Sequence, residues 1–162
     1  MSNTPNRASN SANKPRRKTA NLELSTTRQM LPLIKSIVSD IVTSRLTLNR
    51  LAPEQEQLER HRRELMWQER QRRYQLGEEI KTAEQSLTAA LTELNALGVT
   101  LIDDEFGEVD FPTKINGRTA AFNWRMGEDR IAHWHYSGEE QRRAIPADWD
   151  HAPAVLRYRS QP

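Results

Sequence analysis

Apolar residues recur at helical spacing through the first patterned stretch of the chain. Leu31, Ile34, Val38, Ile41, Arg45 and Leu48 follow one another at steps of three and four, and Ile37, Val42 and Leu51 widen the stripe. One amphipathic helix is predicted over 27–51. A hydroxyl from Ser25, Thr26 or Thr27 can cap its first turn. Ala52-Pro53-Glu54 reads as a break, because proline suits the first turn of a new helix. A second stripe comes late: Leu76, Ile80, Ala83, Leu87, Leu91 and Leu94, closed by Leu97 and stopped at Gly98. The prediction is a long antiparallel, coiled-coil-like helical hairpin over 25–98, with Gly77 as a place for a kink or division. Its helices come out unequal, at about 25 and about 44 residues. An apolar stripe without an intramolecular partner needs another surface, so a homodimer or another protein partner is expected.

After Gly98 the period changes from helical to alternating. Val99 to Ile102 is a short β-prone run, Gly107 to Ile115 a strand, Arg118 to Arg125 a second and Ile131 to Tyr136 a third. Asn116-Gly117 is a strong signal for a two-residue hairpin turn. It sets a register in which Ile115 faces Arg118, Phe111 faces Phe122 and Val109 faces Trp124. Asp110 then faces Asn123, and Glu108 faces Arg125. A five-residue second loop puts His133 opposite Asn123. The fold class is therefore α+β, the hairpin followed by a small three-stranded antiparallel β-meander over 99–146. A C-terminal tail, 147–162, completes the division. Pro112 needs an edge strand, where its missing N–H is tolerated.

That register separates two faces. Val109, Phe111, Ala120, Phe122, Trp124, Ala132, Trp134 and Tyr136 form an aromatic face for the helices. Glu108, Asp110, Asn123, Arg125, His133 and His135 form a polar face, the best candidate site. Two histidines at i,i+2 point the same way, with Asp110 two strands over. Asp110, His133 and His135 are the candidate ligands for a divalent metal, since two imidazoles and a carboxylate suit zinc or iron(II). Histidine and aspartate can also act as acid and base. An ordinary solvated face with a Glu108–Arg125 pair is the plainer alternative, and no cofactor is required by the pattern.

Charge and composition narrow the function classes. Of 162 residues, 36% are apolar and 28% charged, so the core must be narrow, a helix seam plus one sheet face. There is no cysteine, which excludes disulfides, thiolate chemistry and Cys-based zinc sites. No run of about 18 apolar residues exists to span a membrane, and the N-terminus lacks the apolar core of a signal peptide. A cytoplasmic protein without membrane attachment is expected. Residues 1–24 read as a disordered basic tail with Arg7, Lys14, Arg16, Arg17 and Lys18; its first 20 residues contain no acid, whereas the chain as a whole is +2, so the remainder is net acidic. Arg60, Arg62, Arg63, Arg70, Arg72 and Arg73, with Trp67 and Tyr74 nearby, invite a nucleic-acid reading. Glu56–Arg60, Glu59–Arg63 and Glu69–Arg73 are nevertheless i,i+4 pairs of a salt-bridged surface helix, which is the favoured reading.

The motifs bring a resemblance. Met30-Leu31-Pro32-Leu33 and Leu94-Asn95-Ala96-Leu97-Gly98-Val99 flank a charged helical region. Gly107-Glu108-Val109-Asp110-Phe111-Pro112, Asn116-Gly117-Arg118, Trp124-Arg125-Met126-Gly127-Glu128 and Trp134-His135 follow. Together, over about 27–146, they resemble a bacterial family of uncharacterised proteins, domain of unknown function 2203. Glu108 stands where that family has leucine, and Asn123 where it has cysteine. Arg142-Arg143-Ala144-Ile145 matches the family's ending only in part. The resemblance implies helices followed by a β-unit and transfers no reaction. It singles out Asp110, Arg118, Trp124, Glu128, Trp134, His135 and Arg142. The ligand or partner face is thus expected to draw on Asp110, Arg118, Asn123, Glu128, His133, His135 and Arg142.

The leading expectation is an interaction or scaffold-type protein that self-associates through its helices and presents a polar β-face. The alternatives are a metal- or small-ligand-dependent enzyme using Asp110, His133 and His135, and a nucleic-acid-binding protein using the basic tail and arginine-rich helix.

Overall fold

The computed structural model describes residues 20–151 and 155–160. Two long helices form a hairpin, α1 over Leu24–Arg60 and α2 over Trp67–Ala96. A five-stranded antiparallel sheet follows in the order β1-β2-β3-β4-β5. Its strands are Thr100–Asp103, Glu108–Ile115, Arg118–Arg125, His133–Tyr136 and Arg143–Ala144. A short 3₁₀ turn, Ala147–His151, closes the chain onto α1. No helix among the described residues is long and apolar enough to cross a membrane. The basic segment expected at 1–24 lies, through residue 19, outside the described residues.

The expected helix stripes are the ones that pack. Leu31, Ile34, Ile37, Val38 and Ile41 of α1 are buried with Leu87, Ala90 and Leu94 of α2 and the aromatic face of the sheet. A smaller cluster, Leu51, Leu76 and Ile80, continues the seam along the hairpin. The break, however, is not at Pro53. Helix α1 runs through both Pro32 and Pro53, and the chain turns at 61–66 instead. An interior proline forfeits one backbone hydrogen bond to the residue four back. At Pro53 the packing of Leu51, two residues before it, in a cluster with Leu76 holds the helix together. Helix α2 is also continuous through Gly77, which is exposed with open space around it. The helices therefore have 37 and 30 residues, a smaller inequality than the expected about 25 and about 44. Nor does a hydroxyl cap α1. Glu23 is the N-cap residue without a side-chain bond, and the Thr27 hydroxyl donates back to the Leu24 carbonyl at 2.8 Å.

The β-register is as expected. Ile115 pairs with Arg118, Phe111 with Phe122, Val109 with Trp124, Asp110 with Asn123 and Glu108 with Arg125. Asn123 pairs with His133. Asn116 and Gly117 both adopt positive φ, 53° and 72°, the conformation a tight hairpin turn demands. The sheet has five strands rather than three, because the run after Gly98 pairs with β2 and Arg143-Ala144 pairs with β4. Pro112 thus lies on an inner strand, but beyond the end of β1, and its carbonyl accepts a bond from Leu22 N–H at 2.8 Å. On the aromatic face Ile131, not Ala132, is fully buried, because alternation breaks in the loop before β4. The expected C-terminal tail is partly folded in. Trp149 joins the core, and Asn116 binds Tyr158 through both backbone groups.

Gly107 explains how closely sheet and helix meet. It sits at φ 78°, and a Cβ there would stand 2.9 Å from Val38 Cγ1 and 3.0 Å from Met126 Cβ. Beside it, Arg45 of α1 binds Asp104 at 2.5 Å. The β1–β2 loop is thereby fixed against the middle of α1. Beyond it, residues 46–60 and 67–80 project as an arm, about 22 Å long at 1.5 Å per residue.

Candidate functional site

On the polar face, the strands bring most of the expected residues together. Asp110, from β2, is buried. Its Oδ1 accepts from Asn123 Nδ2 at 2.8 Å and from His135 Nε2 at 2.9 Å. Asn123 Nδ2 also donates to Glu108 Oε1 at 2.9 Å, and Glu108 pairs with Arg125 at 3.3 Å. His135 Nδ1 lies 2.9 Å from the Tyr136 carbonyl. A carbonyl and a carboxylate both accept, so this pair of contacts favours the protonated ring of His135. The Asp110 bond accordingly raises the His135 pKa, against the opposing effect of burial, with help from the Tyr136 carbonyl and the Glu108 charge.

Asp110, His133 and His135, the expected metal ligands, are not gathered into one ligand group. His135 spends both ring nitrogens on contacts within the fold, Nε2 on Asp110 and Nδ1 on the Tyr136 carbonyl. His133 Nδ1 lies 3.7 Å from Glu128 Oε1. Among the described residues no group of three or more His, Asp or Glu is placed to hold a metal ion.

A second cluster forms where the β3–β4 loop meets β5. Arg142 Nη2 donates to both Glu128 oxygens at 2.9 Å, and Glu128 Oε2 accepts the Arg125 N–H at 3.0 Å. Burial of Glu128 works against its charge, yet the Arg125 N–H, Arg142 and His133 outweigh it and hold the carboxyl below its usual range. The Glu128 carbonyl takes the indole N–H of buried Trp124 at 2.9 Å. Three polar atoms on this side are sealed from solvent without a bond: Asn123 Oδ1, His133 Nδ1 and Arg142 Nε. Arg118 stands apart from both clusters, stacked 4.0 Å over the Tyr136 ring and 3.8 Å from Glu139. A cleft of about 680 Å³ lies elsewhere, lined by Leu24, Arg28, Trp149 and Leu156 among others, and holds none of these residues.

The other end of the molecule is built differently. At the arm, Arg72 forks onto both oxygens of Glu54 at 2.6 and 2.8 Å and reaches Glu79 at 3.0 Å. Arg73 binds Glu59 at 2.6 Å, and Arg60 binds Glu56 at 2.5 Å. Of the expected i,i+4 pairs, only Glu56–Arg60 forms. Glu59 is taken across the hairpin, and Glu69 accepts the Met66 N–H at 2.8 Å, capping α2. Arg62, Arg63 and Arg70 consequently make no ion pair among the described residues. Around them Met66, Trp67 and Tyr74 are 75%, 66% and 74% exposed. Placing the turn at Pro53 hid this grouping. Glu69 stands three residues after Met66, the spacing of a capping box, but methionine is not a residue that announces an N-cap in sequence.

Residues 22–145 match the family model described as "Uncharacterized conserved protein (DUF2203)", the family that the motifs resemble. No curated protein and no solved structure matches the chain.

Proposed function

We propose an interaction role for this chain, which belongs to the uncharacterized conserved family DUF2203. The sheet and the lower part of the hairpin form a rigid base, and the arm carries the binding surface at its tip. One observation supports this reading above others: Met66, Trp67 and Tyr74 are largely exposed beside three arginines without acidic partners. Large apolar side chains left uncovered together keep unfavourable contact with water, and such patches mark binding sites. A photo-crosslinking amino acid placed at position 67 should give adducts in living cells, while the same group at exposed Gln85 should not. Equal labelling at both positions, or none at either, contradicts the reading.

A second reading puts a small polar ligand on the sheet's polar face, favoured by the unbonded Asn123 Oδ1, His133 Nδ1 and Arg142 Nε. Ordered water can serve the same three atoms. A small-molecule thermal-shift screen in which a hit loses its effect in Arg142→Ala would support a ligand, and a screen without such a hit would count against it.

A further inference from the structure

We infer that the tip of the arm binds single-stranded nucleic acid, Trp67 and Tyr74 stacking on bases and Arg62, Arg63 and Arg70 holding phosphates. This deepens the interaction role and rests on it. Trp67, Arg70 and Tyr74 stand at i, i+3 and i+7 in α2, one face of a helix. The two aromatic positions are about 10 Å apart along the axis, with a cation between them. Arg62 and Arg63 add two more charges from the adjoining turn. Aromatic platforms alternating with cations are what an extended, unpaired strand requires, because every base offers a π-face and every nucleotide a phosphate.

The pairing pattern makes the charge available. Glu54, Glu56 and Glu59 neutralise Arg72, Arg60 and Arg73, leaving the other three arginines with no carboxylate within ion-pair distance among the described residues. Nucleic acid fits this surface better than an anionic membrane. The aromatic stripe runs along the side of α2 rather than capping its end, so it follows a strand laid along the helix. Duplex DNA offers no unstacked base to Trp67.

Trp67 is also its own reporter, since Trp124, Trp134 and Trp149 are buried and only Trp67 is open to a ligand. Titrating the full chain with oligothymidylate and oligouridylate should quench tryptophan emission, one arm for DNA and one for RNA. Trp67→Ala should abolish the quench and weaken binding, followed by a labelled oligonucleotide, on the order of 5- to 100-fold. The log–log salt slope contributed by three arginine contacts should be about −2, falling by about 0.7 for each of Arg62→Gln and Arg63→Gln. These side chains are exposed, so the variants should keep the far-ultraviolet spectrum of the parent.

Binding unchanged in Trp67→Ala and in the arginine variants would place it on the basic N-terminal residues and overturn the inference. So would absence of binding at low salt, or capture by phosphatidylserine vesicles without oligonucleotide binding. If position 67 crosslinks to protein in cells while oligonucleotides fail, the interaction role stands and the nucleic-acid inference falls.

Discussion

The polar face of the sheet and the tip of the arm carry similar residue types and use them in opposite ways. On the sheet, Asp110, His135, Asn123 and Glu108 are bound to one another, and Glu128 is bound by Arg142. Their hydrogen-bonding capacity is largely consumed in tying β2, β3 and β4 together and in fastening the β3–β4 loop to the segment before β5. At the tip, Arg62, Arg63 and Arg70 lack an acid, and Met66, Trp67 and Tyr74 lack a cover. A cluster of polar groups converging on a sheet looks like a site in sequence. Whether it is available depends on whether its groups have already found partners inside the fold.

The contrast can be broken most directly with one residue type. Trp124→Ala removes a buried indole whose N–H is bonded to Glu128, and it should cost about 3–5 kcal/mol of stability. Trp67→Ala should leave the unfolding midpoint where it was, because that ring touches little. Comparable losses in urea titrations of the two variants would mean that the tip is part of the folded core. Next in size is Gly107→Ala. The left-handed backbone and the approach of Val38 should together cost about 2 kcal/mol or more, read by the same titration. Retained stability would show that the sheet does not press on α1 at Gly107.

Asp110→Ala should cost about 1–3 kcal/mol, since Asn123 and His135 lose their shared acceptor in a buried setting. It also sets the pH dependence. The folded His135 pKa is raised above its unfolded value, so the pair's contribution is complete below about pH 6.5 and is lost as pH rises through the raised value. Unfolding free energy measured from pH 6 to 9 should therefore decline in the parent and decline less in Asp110→Ala. A parent profile as flat as the variant's would show that His135 is not held as a cation. The smallest effect is expected from Arg72→Ala, which should speed hydrogen exchange at the arm's seam around 51–58 and 72–76 without moving the global midpoint. Unchanged exchange there would mean that the Glu54–Arg72 fork does not hold the arm together.

Much of the sheet was legible because its determinants are local. Asn116-Gly117 needs two positive-φ residues, which leaves one register, and period-2 alternation then assigns both faces. The same logic paired Asp110 with Asn123 and brought His135 near them. What it could not supply was the saturation of that cluster, which depends on rotamers and on Arg142 arriving just ahead of β5, a strand of two residues with no pattern to announce it. The helix break failed for a different reason. Pro53 carries a strong local preference, but tertiary packing of Leu51 on Leu76 overrides it. The turn at 61–66 contains neither glycine nor proline. With the turn misplaced, Glu59 and Arg73 could not be matched across the hairpin, so the three unpaired arginines were indistinguishable from their paired neighbours.

Hydroxyl-radical footprinting of the chain in cells, set against the purified protein, tests the account most directly. If the tip is a binding surface, oxidation of Met66, Trp67 and Tyr74 should drop in cells, while exposed Phe106 on the β1–β2 loop stays equally reactive in both. Equal oxidation of the tip in cells and in isolation, with Phe106 unchanged, would contradict it.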